Sequence, residues 1–372
     1  MATSSHPPPP RSPAPLGSSP ATLGSSPAPL GLPTPVVAAY GRLGLVEAHP
    51  LTAGLINQTW CVRGDDGGRF ILQRVNPIFE PEPVHANIAA VTGHLRACGL
   101  VTPELTPTDA GAPYFATPEV GCWRVLTFVE GATLTHTAAL ARLASAGRLV
   151  GRFHRALATL ETPLVVTRVG VHDTPAHLAR LRAAMASGRD HRLHPRVAPL
   201  ADEVLRAAEA LSPLPDAPDE PGHGDLKLSN LLFRGDEAVC LVDLDTLAPM
   251  ARAHELGDAF RSWCLPGGED APELASFSVP SLAAAWGGYA EGLGRAPTAL
   301  EREAALVGVE HICLELTARF LADALVESYF GWDPTRFATR GDHNLARARG
   351  QWSLFTSARH QRAARRAALD GA

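Results

Sequence analysis

The stretch His223-Gly224-Asp225-Leu226-Lys227-Leu228-Ser229-Asn230, followed by Val242-Asp243-Leu244-Asp245, decides the fold of this chain. This arrangement of carboxylate and amide side chains suits phosphoryl transfer, which uses a carboxylate near the attacking hydroxyl group. The reaction also needs Mg²⁺, which prefers carboxylate, amide and phosphate oxygens. We therefore predict that Asp225 is the catalytic residue and that Asn230 and Asp243 are metal ligands. Asp245 should share the strand face of Asp243, where it would either assist the metal or brace the loop.

A simple turn is the alternative explanation for His223-Gly224-Asp225. Gly224 could take a positive φ there, and Asp225 could cap a backbone N–H group. The tripeptide alone does not separate the two interpretations. The spacing to Asn230 and the second apolar strand ending at Asp243 favour the catalytic one.

Composition and charge narrow the class of protein. The 372 residues are 45% hydrophobic and 19% charged, as in a globular protein with room for two modest lobes. A net charge of −5 and a pI near 6.3 indicate no nucleic-acid partner, and no apolar run approaches the ~18 residues of a membrane-spanning helix. The six cysteines are scattered, which favours a reducing, cytoplasmic compartment. The oligomeric state stays open.

Three segments follow from the patterns along the chain. Residues 1–35 are rich in Pro, Ser, Gly and Ala, bury too little surface to offset their ordering entropy, and are predicted to be a disordered tail. Residues 36–129 contain a helical run at 83–98 and strand-like runs at 55–62, 69–75, 114–117 and 123–129. Residues 130–372 are mostly helical, with runs near 140–160, 176–186, 201–211, 281–293, 301–326 and 344–368. This order predicts an α+β protein.

The motif H-G-D-x-x-x-x-N resembles that of the aminoglycoside phosphotransferase and choline kinase superfamily, a relative of the protein-kinase motif H-R-D-x-x-x-x-N. The resemblance implies a two-lobed protein-kinase-like fold that uses ATP and Mg²⁺. Residues 36–129 would be a small antiparallel-sheet lobe that binds nucleotide. Residues 130–372 would be a larger, mostly helical lobe for catalysis and substrate binding, with the hinge near 129–131.

The predicted nucleotide side is less regular. The turn at 54–59 can lay backbone N–H groups over phosphates, which makes Asn57 and Thr59 candidate ATP-binding residues, although a plain hairpin turn explains it equally well. The strand at 70–75 lacks the lysine that kinases place there. Gln73 occupies the lysine's offset, and Arg74 is the nearest cation.

Asn87 stands where the glutamate partner of that lysine is expected. One solution pairs Gln73 with Asn87 and places Arg74 on phosphate, but Arg74 could instead extend from the sheet surface. The order of the elements places the backbone around Phe128 beside adenine.

A closer resemblance is to the N-acetylhexosamine 1-kinase branch. It spans about residues 50 to 357 and rests on segments at 54–59, 71–76, 87–95, 242–250, 255–261, 317–330 and 343–349. The branch implies phosphorylation of the anomeric hydroxyl of N-acetylglucosamine or N-acetylgalactosamine, with sugar contacts from Asp225, Arg319 and Tyr329. Two departures concern Gly224, where the branch often has Asn, and the segment 319–329, which is about one residue short.

Alternatives remain for the substrate side. Arg319 could pair with Glu315 on a helix surface, and Tyr329 could pack in the core. The acceptor could be an aminoglycoside or amino alcohol, with acidic contacts from Glu269, Asp270 and Glu273. A nucleotide-binding pseudokinase is favoured by the missing lysine and opposed by the intact loop. By superfamily position, Asp258 should brace the catalytic loop and His154 should be a packed, hydrogen-bonded histidine.

Overall fold

The computed structural model describes residues 30–51, 56–267 and 275–371, so most of the predicted tail, the first residues of the predicted turn at 54–59 and the segment with Glu269, Asp270 and Glu273 lie outside the described residues. The predicted α+β class is confirmed: a small antiparallel sheet precedes a larger helical region. The first region contains α1 (Thr34–Ala39), β1 (Leu45–Leu51), β2 (Gln58–Gly64), β3 (Arg69–Arg74), α2 (Pro81–Ala97), β4 (Leu105–Thr106), β5 (Phe115–Thr117) and β6 (Gly121–Thr127).

The sheet has the order β1-β2-β3-β6-β4, with β5 paired to β6. The β2–β3 turn lies between the predicted strand runs at 55–62 and 69–75, with Gly67 at φ +83°, a conformation that glycine adopts without strain. The patterns did not indicate β1. Its residues are mostly exposed and include Pro50, which an edge strand tolerates because one side of it needs no partner.

The two faces of the sheet have different roles. On the outer face, α1 packs onto the strands, with Tyr40 fully buried and Trp60 stacked on Trp123 at 5.3 Å between ring centroids. Helix α2 contributes Val84, Ile88 and Val91 to the same continuous core as the helical region. Helix α2 therefore packs with the helical region.

The helical region is assembled around closely packed helices. A Cβ added to Gly147 would lie 1.9 Å from the carbonyl oxygen of Ala285. The helix that contains Gly147 and the helix that contains Ala285 therefore touch backbone to backbone. The elements are β7 (Ala132–Thr133), α3 (Leu140–Leu157), α4 (Thr174–Ser187), α5 (His194–Glu209), β8 (Glu220–Gly222), β9 (Leu231–Arg234), β10 (Glu237–Leu241), β11 (Ala248–Met250), α6 (Arg252–Trp263), α7 (Val279–Leu293), α8 (Ala299–Val326), α9 (Arg340–His360) and α10 (Arg362–Asp370).

Most helices match the predicted runs, but the run at 344–368 is two helices. The break is at Gln361, and it turns Arg365 inward, where its guanidinium is fully buried against Glu310 at 2.9 Å. Among the described residues, no helix combines the length and the apolar character needed to cross a bilayer.

Candidate active site

Residues 223–230, the predicted catalytic loop, form a compact hydrogen-bonded unit between β8 and β9. Asn230 donates from Nδ2 to the backbone oxygen of Asp225 at 2.8 Å and to its carboxylate Oδ2 at 2.9 Å. The ammonium of Lys227 contacts the same Oδ2 at 2.6 Å. Burial favours a raised pKa for Asp225, but Lys227 outweighs it and the pKa is lowered. The carboxylate is therefore charged and fixed in position, and it retains exposed surface, with 25% of the side chain accessible.

Glu255 on α6 holds the backbone at the start of this loop. Its two carboxylate oxygens accept from the amides of His223 at 2.8 Å and Gly224 at 2.9 Å, and from His154 Nε2 at 3.1 Å. Burial alone would raise the pKa of Glu255, and the bonds from His154 and His223 instead lower it to about 2. An ionised carboxylate thus fixes the turn that carries Asp225.

His154 is the packed, hydrogen-bonded histidine that was predicted, since Tyr289 contacts its Nδ1 at 3.0 Å. Burial lowers its pKa to about 4, so the ring is neutral and donates from Nε2 to Glu255. Asp258, the residue predicted to brace the loop, pairs with Arg261 at 2.8 Å, and its charge helps to raise the pKa of Lys227. The bonds to the backbone at the start of the loop come from Glu255.

Asp243 follows β10 in a left-handed conformation, with φ +63°. Such a conformation costs a non-glycine residue on the order of 1–3 kcal/mol and is kept where the surroundings impose it. Here the amide of Val242 donates to the Asn230 backbone oxygen at 2.9 Å, which joins the two segments. Burial, followed by the charges of Asp225 and Asp245, raises the pKa of Asp243 to about 6.

This excess of negative charge suits a bound cation. Within the described part of the chain, no three His, Cys, Asp or Glu side chains are grouped so that they could hold an ion unaided. Mg²⁺ is commonly held by one or two carboxylates together with substrate phosphates. Asp243 and the amide oxygen of Asn230 fit that incomplete ligand set.

Asp245 differs from Asp243, because its partners come from the sheet region. Arg124 on β6 approaches its Oδ1 at 2.5 Å, and Asn57 donates to its Oδ2 at 2.6 Å. Both charged side chains are 1% exposed. Asp245 therefore forms a buried ion pair that joins the sheet region to the segment after the catalytic loop. This contact fits the bracing role, which was one of the two predicted for Asp245.

The residues predicted on the nucleotide side separate into two faces. Gln73 accepts from Arg124 Nε at 2.9 Å and Nη2 at 2.7 Å and donates to Thr59 at 3.2 Å, so it faces Asp245. Arg74, the next residue of β3, is exposed and lies on the opposite strand face. Phe128 lies 4.1 Å from the guanidinium of Arg69.

The amide pair between Gln73 and Asn87, one of the solutions considered, is wrong. Asn87 Nδ2 donates at 2.8 Å to the carbonyl oxygens of both Val165 and Leu247. This joins α2 to the loop before α4 and to the segment after Asp243. Side-chain bonds to remote carbonyls have no sequence signature, which is why the pairing was not foreseen.

Arg319 and Tyr329 lie in one polar cluster with the loop before α4. Arg319 is 3.4 Å from Glu315, its predicted alternative partner, and Arg168 donates to the Tyr329 hydroxyl at 2.9 Å. Tyr329 is 56% exposed, so the core-packing alternative is wrong. Burial alone would raise the pKa of Tyr329, and the bond from Arg168 instead lowers it. The cluster presents two guanidinium groups and a phenol at the surface.

Sequence reasoning missed Lys227, Arg124 and Glu255. Lys227 lies within the motif at 223–230, but no role was predicted for it. Arg124 could have been noticed as a charged residue within the apolar strand β6, since a buried charge needs a partner. Glu255 carries no such signal.

Comparison with known proteins identifies the family of this chain. A family model described as "Phosphotransferase enzyme family" matches residues 47–302, and the chain belongs to that family. The predicted enzyme class, an ATP-dependent phosphotransferase with a hydroxyl acceptor, agrees with this membership.

Solved structures confirm the kinase-like fold. An aminoglycoside phosphotransferase from Alicyclobacillus acidocaldarius is 19% identical, with 91% of this chain and 98% of that chain covered and a TM-score of 0.55. A Plasmodium vivax ethanolamine kinase is 14% identical, covering 85% and 84%, with a TM-score of 0.53. An amicoumacin kinase in complex with AMP-PNP, Ca²⁺ and Ami is 12% identical, covering 85% and 90%, with a TM-score of 0.57.

A curated match is confined to a short stretch. Over 48 residues the chain is 44% identical to altered inheritance of mitochondria protein 32 of Eremothecium gossypii, which is 12% of this chain and 15% of that protein. The chain thus spans a small part of that relative, and the match carries no argument about activity.

Proposed function

We propose that this protein is an ATP- and Mg²⁺-dependent kinase that phosphorylates the anomeric hydroxyl of an N-acetylhexosamine. One observation supports the kinase activity. Asp225 is charged and partly exposed, Asn230 and Lys227 fix its position, and it is close enough to Asp243 for its charge to raise the pKa of that residue. The sugar is proposed from the resemblance of residues 50 to 357 to the N-acetylhexosamine 1-kinase branch and from the polar cluster around Arg319.

The residues divide the work of the transfer. Asp225 orients the acceptor hydroxyl and takes its proton as the oxygen attacks phosphorus. Asn230 and Asp243 would hold Mg²⁺, which neutralises phosphate charge when it is bound. Asp245 is proposed as a brace rather than a ligand, because its oxygens are engaged by Arg124 and Asn57. Glu255 keeps the loop in place.

On the nucleotide side, Asn57, Thr59 and Gln73 stay as candidate residues that shape the phosphate end of the site. Their bonds to Asp245, to Arg124 and to each other give them a supporting role. Direct phosphate contact by Arg74 is not proposed, because it faces away from this network. The backbone around Phe128 is proposed as the adenine contact.

The charge of the acceptor cluster favours a neutral sugar over a cationic acceptor. Glu315 is 1% exposed and already bonded to Thr174 at 3.0 Å and to Arg319, whereas the guanidinium groups of Arg168 and Arg319 and the Tyr329 hydroxyl are the donors near the surface. Guanidinium groups and a phenol can bond sugar hydroxyls but would repel an ammonium group.

An aminoglycoside or amino alcohol is the second candidate acceptor. The kinases of similar fold include an aminoglycoside phosphotransferase and an ethanolamine kinase, and the family match does not separate such acceptors from sugars. A pseudokinase is a weaker candidate, since Asp225, Asn230 and Asp243 are all present.

The experiment is ATP consumption against a panel of both acceptor classes, with phosphorus NMR of the product. N-acetylglucosamine or N-acetylgalactosamine should yield the 1-phosphate, and the 1-O-methyl glycoside, which lacks the reacting hydroxyl, should be inert. A 6-phosphate product, or turnover of an amino alcohol or aminoglycoside alone, would overturn the sugar assignment. Turnover of no acceptor, with nucleotide binding intact, would favour the pseudokinase.

A further inference from the structure

The strand register lines up three side chains in a row across the sheet. Thr59 on β2 pairs with Gln73 on β3, and Gln73 pairs with Arg124 on β6, so the three residues are cross-strand neighbours that share one face. Gln73 donates to the Thr59 hydroxyl at 3.2 Å and accepts from Arg124 Nε at 2.9 Å and Nη2 at 2.7 Å. The row therefore runs from two half-buried side chains to the fully buried Arg124.

Asp245 closes this row into a ring. Arg124 Nη1 lies 2.5 Å from Asp245 Oδ1, and Asn57 Nδ2 donates to Oδ2 of the same carboxylate at 2.6 Å. Asn57 is two residues before Thr59, so both ends of the row return to the end of the turn at 54–59. These side chains, Asn57, Thr59, Gln73, Arg124 and Asp245, are called the Asp245 ring below.

The Asp245 ring connects two parts of the candidate site. Asn57 and Thr59 belong to the turn considered for the nucleotide phosphates, whereas Asp245 lies in the 3₁₀ turn that starts directly after Asp243, the candidate Mg²⁺ ligand. Asn57 also accepts from the amide of Asn76, at the end of β3, at 2.9 Å. A hydrogen-bond network of this kind is rigid, so the positions of the turn and of Asp243 are set together.

The charged members of the ring act on geometry rather than on a substrate. Arg124 and Asp245 are each 1% exposed, and both oxygens of Asp245 are engaged by Arg124 and Asn57. The half-buried members, Gln73 and Thr59, are neutral. Geometry alone can have a large effect, because a misplacement of about 1 Å can cost on the order of a hundredfold in rate.

We propose that the Asp245 ring couples the binding of Mg²⁺ to the binding of nucleotide, and that Asn57 and Arg124 are its positioning residues. The inference rests on the kinase function proposed above. The ring keeps the turn and Asp243 at one fixed separation, so phosphates held at the turn and an ion held by Asp243 meet in a single arrangement. Without the ring, each could still bind, but neither would strengthen the binding of the other.

The test is the ratio of two dissociation constants for the non-hydrolysable nucleotide AMP-PNP, measured by calorimetry in EDTA and in saturating Mg²⁺. Wild type should bind more tightly in Mg²⁺. Asn57→Ala removes the bond to Asp245 and should reduce this ratio about tenfold, while the affinity in EDTA changes by less than about threefold. Arg124→Lys keeps a cation for Asp245 but lacks the fork that holds Gln73, so it should act in the same direction.

Further variants separate coupling from stability. Tyr40→Phe removes a hydroxyl contact to Trp123 at 3.3 Å on the outer face, so it controls for loosening of the sheet and should leave the ratio unchanged. Asn57→Asp places two carboxylates together and should lose the coupling. Adding Asp245→Asn restores the bond with donor and acceptor exchanged and should recover part of it. Thr59→Val, which is nearly isosteric, should reduce the ratio about threefold and decides the matter if melting curves show the other variants unfolded.

The outcomes distinguish this inference from the kinase proposal. Equal loss of affinity in EDTA and in Mg²⁺ would mean that the ring residues contact the nucleotide or support the fold, and would overturn the coupling. A ratio equal to that of wild type in the folded variants would overturn it as well, as would a wild-type affinity that does not depend on Mg²⁺. In these cases nucleotide binding would stand. If wild type binds no nucleotide, the kinase proposal fails and takes this inference with it.

Discussion

The catalytic loop and the nucleotide side of the sheet each contain a close ion pair, but the two pairs differ in their exposure to solvent. In the loop, Asp225 and Lys227 are partly exposed and paired with each other, so both can reach a substrate. On the sheet side, Arg124 and Asp245 are equally close but 1% exposed. Buried pairs tend to specify structure, whereas partly exposed charges can exchange partners. The contrast indicates that this chain has concentrated its reactive charge in the loop and used the sheet-side charge to join the two regions.

The strongest way to break this comparison is at Asp225. Asp225→Asn removes the proton acceptor but keeps an oxygen for Asn230, so the fold and nucleotide binding should survive while turnover falls about 10²–10⁴-fold. Initial rates on the best acceptor, with a melting curve, would measure this. A turnover number close to that of wild type would show that Asp225 is not the base.

The next test concerns Asp243, the carboxylate whose pKa is raised by burial and by the charges of Asp225 and Asp245. Asp243→Ala should abolish the Mg²⁺-dependent part of nucleotide binding, because the ion would lose its main carboxylate ligand. Calorimetry with ATP, with and without Mg²⁺, would show it. Asp236→Ala, which removes an exposed carboxylate in the β9–β10 turn, is the control and should be silent. Unchanged affinity and turnover in the Asp243 variant would remove the metal assignment.

A substitution in the buried ion pair on the sheet side should change the free energy of unfolding instead. Arg124→Met leaves Asp245 as a buried unpaired charge and should cost about 3–5 kcal/mol of unfolding free energy. Adding Asp245→Asn to that variant should recover part of the loss, because the uncompensated charge is gone. Chemical denaturation would measure both.

Arg63→Met, which breaks an exposed ion pair with Glu47, is the matched control and should change stability little. If the Arg124 variant is as stable as that control, the buried pair is not the joint between the two regions.

The same contrast explains what the sequence could predict. The proximity of Asp225, Asn230 and Asp243 could be predicted, because a short loop and the next strand bring them together. The partners of Asp245 were hidden, because Asn57 and Arg124 are remote in sequence and meet it only when the sheet packs against the helical region. The α9–α10 break at Gln361 was missed for a related reason: neither Gly nor Pro marks it, and the burial of Arg365 accompanies it.

The smallest expected effect lies at the N-terminus and sharpens the boundary of the sheet region. Deleting residues 1–29 should leave melting temperature and turnover nearly unchanged, because that composition supplies little surface for a core. Deleting residues 1–40 should destabilise the protein clearly. It removes the fully buried Val36 and Tyr40, each worth about 1.5–3 kcal/mol of burial, together with the Tyr40 hydroxyl contact to Trp123 at 3.3 Å. Melting curves of the two truncations side by side decide the matter. A clear loss in the shorter truncation would mean that residues 1–29 bind to the folded protein, and no loss in the longer one would mean that α1 is dispensable for the outer face of the sheet.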